Sequence, residues 1–272
     1  MIKNPINNPN KIQGGKRFRG ILEEKTYGWP IVSIITAVYN KNSTIEDCIK
    51  SVLSQNHVNK EFIVIDGGST DGTLETLKKY DEIIDYWISE PDNGIYDALN
   101  KGIDQAHGDW IYFLGADDRL IDDKVLKDVF STPPRGKLIY GNVRFGNTGT
   151  IYNGPFSRRK LYFNNICQQA VFYHRDLFRN IGNFDLKYPL HADWVFNMKA
   201  FSRSDTRPKY VQRTIANYSL SGMSSKNVDH VFFQEHAELI REIFGYPEYL
   251  YFKLRHIFNS LTTYVLNRKA RR

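Results

Sequence analysis

The sequence predicts an α/β protein built on a doubly wound, mostly parallel sheet with flanking helices. Three observations carry this. Short apolar, β-branched runs alternate with segments of helical periodicity. The runs are apolar at successive residues, as in strands buried on both faces. Each run is followed at once by polar or glycine residues, where sheets of this kind place their ligands. A chain of 272 residues accommodates one large domain, and 41% hydrophobic with 25% charged residues is a globular composition with material for a sizeable core.

Residues 1–28 are rich in Asn, Gly, Lys and Arg without apolar periodicity, which reads as a flexible N-terminal arm. The first strand is Ile31–Val38, closed by Tyr39 and Asn40. Ser43 or Thr44 then caps a helix whose apolar face is Ile45, Cys48, Ile49, Val52 and Leu53. Phe62–Ile65 is a second strand, and the turn Gly67–Gly72 opens a helix running through Tyr80. Tyr86–Ser89 is the third strand. Asp92 or Asn93 caps the next helix, buried through Ile95, Ala98, Leu99, Ile103 and Ala106 and ended near Gly108. Trp110–Leu114 is the fourth strand, followed by a helical segment, Ile121–Phe130. Farther on the pattern loosens, with strands such as Leu138–Phe145 and Ala170–Tyr173 among aromatic-rich stretches. The main domain is placed at 29–245, with 246–272 a separate basic amphipathic helix.

The acids at strand ends are the candidate functional residues. Asp66 follows Ile63–Ile65 directly and faces a Gly-rich turn; it is placed either to accept hydrogen bonds from a ligand or to cap the next helix. Asp117 and Asp118 follow the fourth strand, a pair suited to a hard cation or, equally, to helix capping. Asp193 lies among large apolar side chains in Leu190–Phe196, where desolvation raises a carboxylate toward a useful base; it is also positioned as an N-cap. Two cysteines, Cys48 and Cys167, sit beside apolar residues with no metal-type spacing and read as buried free thiols.

In order and spacing, Ser33–Asn40, Ile65–Thr73, Ser89–Ile103, Phe113–Asp118, Gly182–Asp185 and His191–Trp194 resemble the motifs of family 2 of the glycosyltransferases, over roughly residues 30–225. The resemblance implies a GT-A fold and an inverting enzyme of the kind that builds bacterial surface polysaccharides. It implies that Asp66 reads the nucleobase of a nucleotide diphosphate sugar, with Thr36, Val38, Tyr39, Asn100, Lys101 and Ala116 at the donor nucleotide and a UDP-sugar favoured. Asp117, helped by Asp118, would hold Mn²⁺ or Mg²⁺, and Asp193 would be the base that deprotonates the acceptor hydroxyl. Gln169, His191 and Trp194 fall on the acceptor side. The chain departs from the family's pattern at three positions: Ala37 stands for a frequent Pro, Gly67 for a second Asp, and Gly115 for the first acid of the metal motif. His191 and His174 are further imidazoles to weigh for coordination, although a lone His is more often structural. The Gly115 departure keeps an alternative open, a homologue that binds nucleotide sugar or glycan without transfer.

No run reaches the roughly 18 apolar residues of a membrane span, and Met1–Pro5 lacks a leader's apolar core, so a cytoplasmic protein is expected. The net charge of +7 attracts phosphates. No nucleic-acid motif organises it, so no nucleic-acid partner is expected. Leu250, Leu254, Ile257, Phe258, Leu261 and Val265 keep helical spacing among Lys253, Arg255, Arg268, Lys269, Arg271 and Arg272. That segment suits an anionic membrane surface bearing a glycan or lipid-linked acceptor, or docking on the domain itself.

Overall fold

The computed structural model describes residues 11–20, 28–57, 59–219 and 227–269. Its first half is the expected alternation: strands β2 (Val32–Val38), β3 (Lys60–Asp66), β4 (Tyr86–Ser89) and β5 (Trp110–Phe113), joined by helices α1 (Asn42–Leu53), α2 (Thr73–Lys79) and α3 (Ile95–Gln105). β2 pairs in parallel with β3 on one side and β5 on the other, and β4 lies beyond β3. The chain therefore winds outward from β2, returns, and continues on its far side. This reversal opens a crevice beyond the carboxyl ends of β2 and β5, where a ligand fits without meeting a crossover helix.

Burial explains why the strands read as continuous apolar runs. Ile35, Ile63 and Ile65 face one core layer with Leu99 of α3, while Ile34, Phe62 and Val64 face the other with Ile45, Ile49 and Val52 of α1. Successive residues point to opposite faces, and both faces are covered.

The second half extends the same sheet. After β6 (Arg119–Leu120) and α4 (Val125–Val129) come β7 (Leu138–Phe145), β8 (Ile151–Tyr152), α5 (Arg158–Leu161), β9 (Val171–His174), α6 (Arg175–Ile181), α7 (Ala192–Ser202) and β10 (Lys209–Tyr218). With β1 (Ile12–Gly14), the order is β1-β4-β3-β2-β5-β9-β7-β10-β6, and β8 pairs with β7. β9 runs antiparallel to both β5 and β7, so the sheet is mixed beyond β5. An α8 (His230–Phe244) and α9 (Tyr246–Lys269) hairpin follows.

Part of the expected N-terminal arm is not free. β1 adds antiparallel to β4, and Arg17 pairs with Glu61 at 2.6 Å while Arg19 pairs with Asp81 at 2.7 Å. Basic residues that gave the arm its disordered composition are the ones that clamp it to acids on the domain. Residues 1–10 and 21–27 of that arm lie outside the described residues.

Two helix starts also differ from expectation. α1 begins after Lys41 with no side-chain cap, because Asp71 Oδ2 accepts from Asn42 N at 2.9 Å and Thr73 Oγ1 accepts from Lys41 N at 3.1 Å. α3 begins after Gly94; Asp97 reaches back to accept from Asn93 N at 2.9 Å. Orphan N–H groups are satisfied from elsewhere, so the local cap signals at Ser43, Thr44 and Asn93 are not used.

The described part of the C-terminal segment is helical and docked. Phe252 is buried against Phe163 and His236, and Glu248 bonds Arg159 through both oxygens at 3.0 Å. Leu250, Leu254, Ile257 and Phe258, the stripe expected to be the apolar face, are exposed. The side chains of Leu261, Val265, Arg268 and Lys269, and all of Arg271 and Arg272, lie outside the description.

Candidate active site

The crevice is a cleft of about 510 Å³. Val38, Tyr39 and Lys41 enter it from the end of β2, and Gly115, Ala116, Asp117 and Asp118 from the end of β5. Asn165 to Gln169 form one wall, and Leu190, His191, Asp193 and Trp194 enter from α7 and the turn before it.

Asp193 is in the first turn of α7 rather than at its cap, where the helix dipole favours its charge. It is buried, with Oδ1 accepting from the Tyr96 hydroxyl and Oδ2 from Asn165 Nδ2, both at 2.7 Å. Burial pushes its carboxyl above the usual range, against the Tyr96 bond, the charge of His191 and the Asn165 bond. The result is a carboxylate of raised basicity held in one orientation at the cleft wall.

The Asp117–Asp118 pair divides. Asp118 is buried; Oδ2 accepts from Gln169 Nε2 at 2.8 Å and Oδ1 from Ser219 N at 2.6 Å. Its carboxyl is pushed up to about 7, chiefly by burial. Asp117 is the more accessible member, and its Oδ2 receives the Lys41 ammonium at 2.9 Å. Among the described residues no group of three or more His, Cys, Asp or Glu side chains gathers as a metal cage. The donor set fits a hard cation that takes one carboxylate here and completes its shell with phosphate oxygens and water, as Mg²⁺ commonly does. His174 is at the start of α6, accepting from Asp176 N, and His191 stacks on Phe232 with centroids 4.7 Å apart; neither is gathered with Asp117.

Both acid-to-glycine departures have a steric account. A Cβ on Gly115 would run into Asp118 Oδ2, and a Cβ on Gly67 would meet Asp92 Oδ2 at 2.5 Å. At each position a neighbouring carboxylate, Asp118 from the same turn or Asp92 from the loop after β4, fills the volume that an acidic side chain would leave through. Asp92 also lines the cleft, and burial raises its carboxyl.

Val38, Tyr39, Ala116, Asp117, Asp118, Gln169, His191, Asp193 and Trp194 are thus brought to one cleft. Thr36, Asp66, Asn100 and Lys101 are not on its wall. Thr36 is buried within β2 against Cys48 Sγ. Asp66 is fully buried and accepts from Ser69 N, Ser69 Oγ and Ser89 Oγ, which is the turn-closing role. Asn100 exchanges two 2.9 Å bonds with the Phe184 backbone, and Lys101 reaches Pro91 O and Glu90, each at 3.1 Å. These two side chains tie α3 to neighbouring loops. Among the cleft residues not expected from the sequence are Lys41, Asp92, Tyr96 and Asn165. Lys41 had a signal, since it follows a strand end; Asn165 sits in an irregular stretch with none.

The family model "Glycosyl transferase family 2" matches residues 33–204. The chain belongs to family 2 of the glycosyltransferases. A PGL/p-HBAD biosynthesis glycosyltransferase of Mycobacterium bovis is 36% identical over 211 residues, covering 75% of this chain and 82% of that one. Among solved structures, Staphylococcus aureus TarS in complex with UDP superposes with a TM-score of 0.61 at 20% identity, over 78% of this chain and 65% of that chain. The mannosyltransferase PcManGT from Pyrobaculum calidifontis, in complex with GDP-Man and Mn²⁺, gives 0.59 at 16% identity, over 80% of this chain and 64% of that one. These two likenesses establish the GT-A fold, and the chain is a transferase enzyme. The alternating strands and helices, the parallel core and the family resemblance are all borne out.

Proposed function

We propose that this glycosyltransferase moves a sugar from a nucleotide diphosphate sugar, a UDP-sugar first, to a hydroxyl of a glycan or lipid-linked acceptor, with inversion at the anomeric carbon. One observation carries the reading. A buried, doubly hydrogen-bonded carboxylate, Asp193, opens on the same cleft as a second, more accessible carboxylate, Asp117. Asp193 takes the proton of the acceptor hydroxyl as that oxygen bonds to the anomeric carbon. The bond from this carbon to the diphosphate oxygen breaks, and the nucleoside diphosphate leaves with the electron pair. A single displacement of this kind inverts the centre. Burial strengthens Asp193 as a base, while Tyr96 and Asn165 keep it aimed. A divalent cation, Mn²⁺ or Mg²⁺, held by Asp117 would supply charge neutralisation for the leaving diphosphate. The exposed Tyr39 ring offers a face on which a nucleobase can stack.

The test is calorimetric titration with UDP, GDP and dTDP, each with and without Mn²⁺, on wild type, Asp117→Ala and Asp66→Ala. Metal-dependent binding of one nucleotide that Asp117→Ala abolishes supports the reading. Weakening by Asp66→Ala supports a base contact made after Asp66 exchanges Ser69 or Ser89 for the ligand. Failure of every nucleotide under every condition would put the non-catalytic alternative ahead.

For the acceptor, the reading places the enzyme in the cytoplasm, peripheral on the inner face of the membrane. Among the described residues no helix is long and apolar enough to cross a bilayer. The exposed stripe Leu250, Leu254, Ile257 and Phe258, in a segment with no acid after Glu248, suits an anionic surface. The hairpin that carries it packs on the cleft wall through Phe232 and His191. Co-sedimentation with vesicles of anionic and of neutral lipid at low salt checks this; equal recovery with both removes the membrane from the reading.

A further inference from the structure

The residue that touches the proposed metal-binding acid is itself a cation. Lys41 Nζ lies 2.9 Å from Asp117 Oδ2, with the lysine side chain about one-third exposed and the aspartate largely covered. Both side chains line the cleft. The contact is not an accident of a loose surface chain, because the Lys41 backbone is fixed on three sides. Its N–H donates to Thr73 Oγ1 at 3.1 Å, and its carbonyl accepts from Thr44 N at 3.0 Å and Ile45 N at 2.9 Å at the start of α1. The preceding residue, Asn40, has a φ of 50°. That left-handed turn is held by Asn40 N donating to Ser69 Oγ at 2.8 Å and Asn40 Oδ1 accepting from Thr70 N at 2.9 Å. Left-handed backbone at a non-glycine residue persists where the surroundings enforce it. Here it directs the chain from the end of β2 across the switch point toward the end of β5.

We propose that Lys41 is a resident cation of the donor site: its ammonium competes with the divalent ion for Asp117 and, once displaced, binds the donor's diphosphate. The proposal rests on the reading that Asp117 receives a divalent cation. An ammonium and a metal ion on one carboxylate oxygen repel each other, so occupancy by one weakens the other. The lysine has a flexible four-carbon stem, and its anchored backbone keeps the ammonium within the cleft wherever the stem swings. A diphosphate arriving beside it offers a larger negative charge than Asp117 alone. Lys41 therefore links metal entry to phosphate capture: the metal frees the ammonium, and the freed ammonium has the leaving group as its new partner. By reciprocity of coupled binding, nucleotide must also ease metal entry by taking the ammonium away.

The experiment measures Mn²⁺ binding to the full-length protein by electron paramagnetic resonance, without nucleotide, and UDP binding by calorimetry without metal. Wild type, Lys41→Met, Lys41→Arg and Asp117→Asn are compared, with thermal melts to confirm folding. Lys41→Met is expected to bind Mn²⁺ about fivefold or more tightly than wild type, and metal-free UDP weaker by a similar factor. Lys41→Arg, which keeps the positive charge, is expected to stay near wild type in both. If Lys41→Met binds Mn²⁺ no better, or worse, the competition is refuted and the lysine merely supports Asp117. If metal-free UDP binding is unchanged, the phosphate role is refuted. Asp117→Asn separates the underlying reading: should it bind Mn²⁺ like wild type, the cation does not use Asp117 at all, whatever Lys41 does.

Discussion

Replacing His236 by Phe is predicted to protect the protein against mild acid. His236 sits in α8 among Trp194, Phe232 and Phe252, with centroids 5.1, 4.6 and 5.1 Å away, and among the described residues its buried Nε2 has no hydrogen-bond partner. Burial first, then the positive charge of His191 and His256, holds its pKa down from 6.5 to about 4. The folded protein keeps this ring neutral while the unfolded chain protonates it, so its contribution is intact above about pH 6.5 and erodes as pH falls toward 4. Each tenfold drop in proton affinity on folding corresponds to about 1.4 kcal/mol, so the full loss is about 3 kcal/mol. Between about pH 7.5 and about pH 5 the two pKa values give a loss of about 2 kcal/mol. Urea unfolding of wild type and His236→Phe at those two pH values reads this directly as a difference in midpoints at constant m. Carboxylates such as Asp118, pushed up by burial, act with the opposite sign and remain in both proteins, so they cancel in the comparison. Equal acid loss in the two proteins would refute the assignment of His236 as a neutral buried group.

Three further predictions concern the cleft. Asp193→Asn is expected to lower kcat by about 10²–10⁴-fold while leaving the donor KM nearly unchanged, as removal of a general base does; steady-state kinetics with a saturating acceptor decide it. In Tyr96→Phe the bond that holds Asp193 down is lost, so its carboxyl moves further up and the acidic limb of the kcat profile shifts to higher pH; an unmoved limb would exclude Asp193 as the titrating base. Gly115→Asp, which restores the family's acid, is expected to destabilise by about 1–3 kcal/mol because its Cβ lands on the Asp118 carboxylate; thermal and denaturant unfolding measure this.

The winding from β2 to β5 was legible because both faces of each strand are covered, which writes uninterrupted runs such as Ile34–Ile35 and Phe62–Ile65 into the chain. β10 was not legible. Its sequence, Lys209–Tyr218, mixes Gln, Arg and Asn with apolar residues, and its pairing with β7 is interrupted between Tyr210 and Thr214 and again before Ala216. An irregular register removes the period of two on which strand recognition depends. β1 was hidden differently, since its three residues are held by β4, and the ion pairs that clamp the segment after it join Arg17 and Arg19 to acids distant in sequence. In the cleft, Asp117 and Asp118 were legible because they follow a strand whose end the topology places there, whereas Asp66, at another strand end, is buried beside the wall. Tyr96 and Asn165 were missed because orienting a carboxylate over 97 and 28 residues of separation leaves no local trace. Asn100 and Lys101 were placed at the donor from the resemblance; here they bond the Phe184 backbone and Glu90.

The two occupied glycines constrain the order in which this cleft can change. An aspartate at position 67 requires the Asp92 carboxylate to shift, and one at position 115 requires the same of the Asp118 carboxylate. Each glycine is therefore coupled sterically to one carboxylate: a side chain added at the glycine alone is crowded, whereas shortening Asp92 or Asp118 first makes room for it. Libraries meant to retune donor choice will search more productively if positions 67 with 92, and 115 with 118, are varied together.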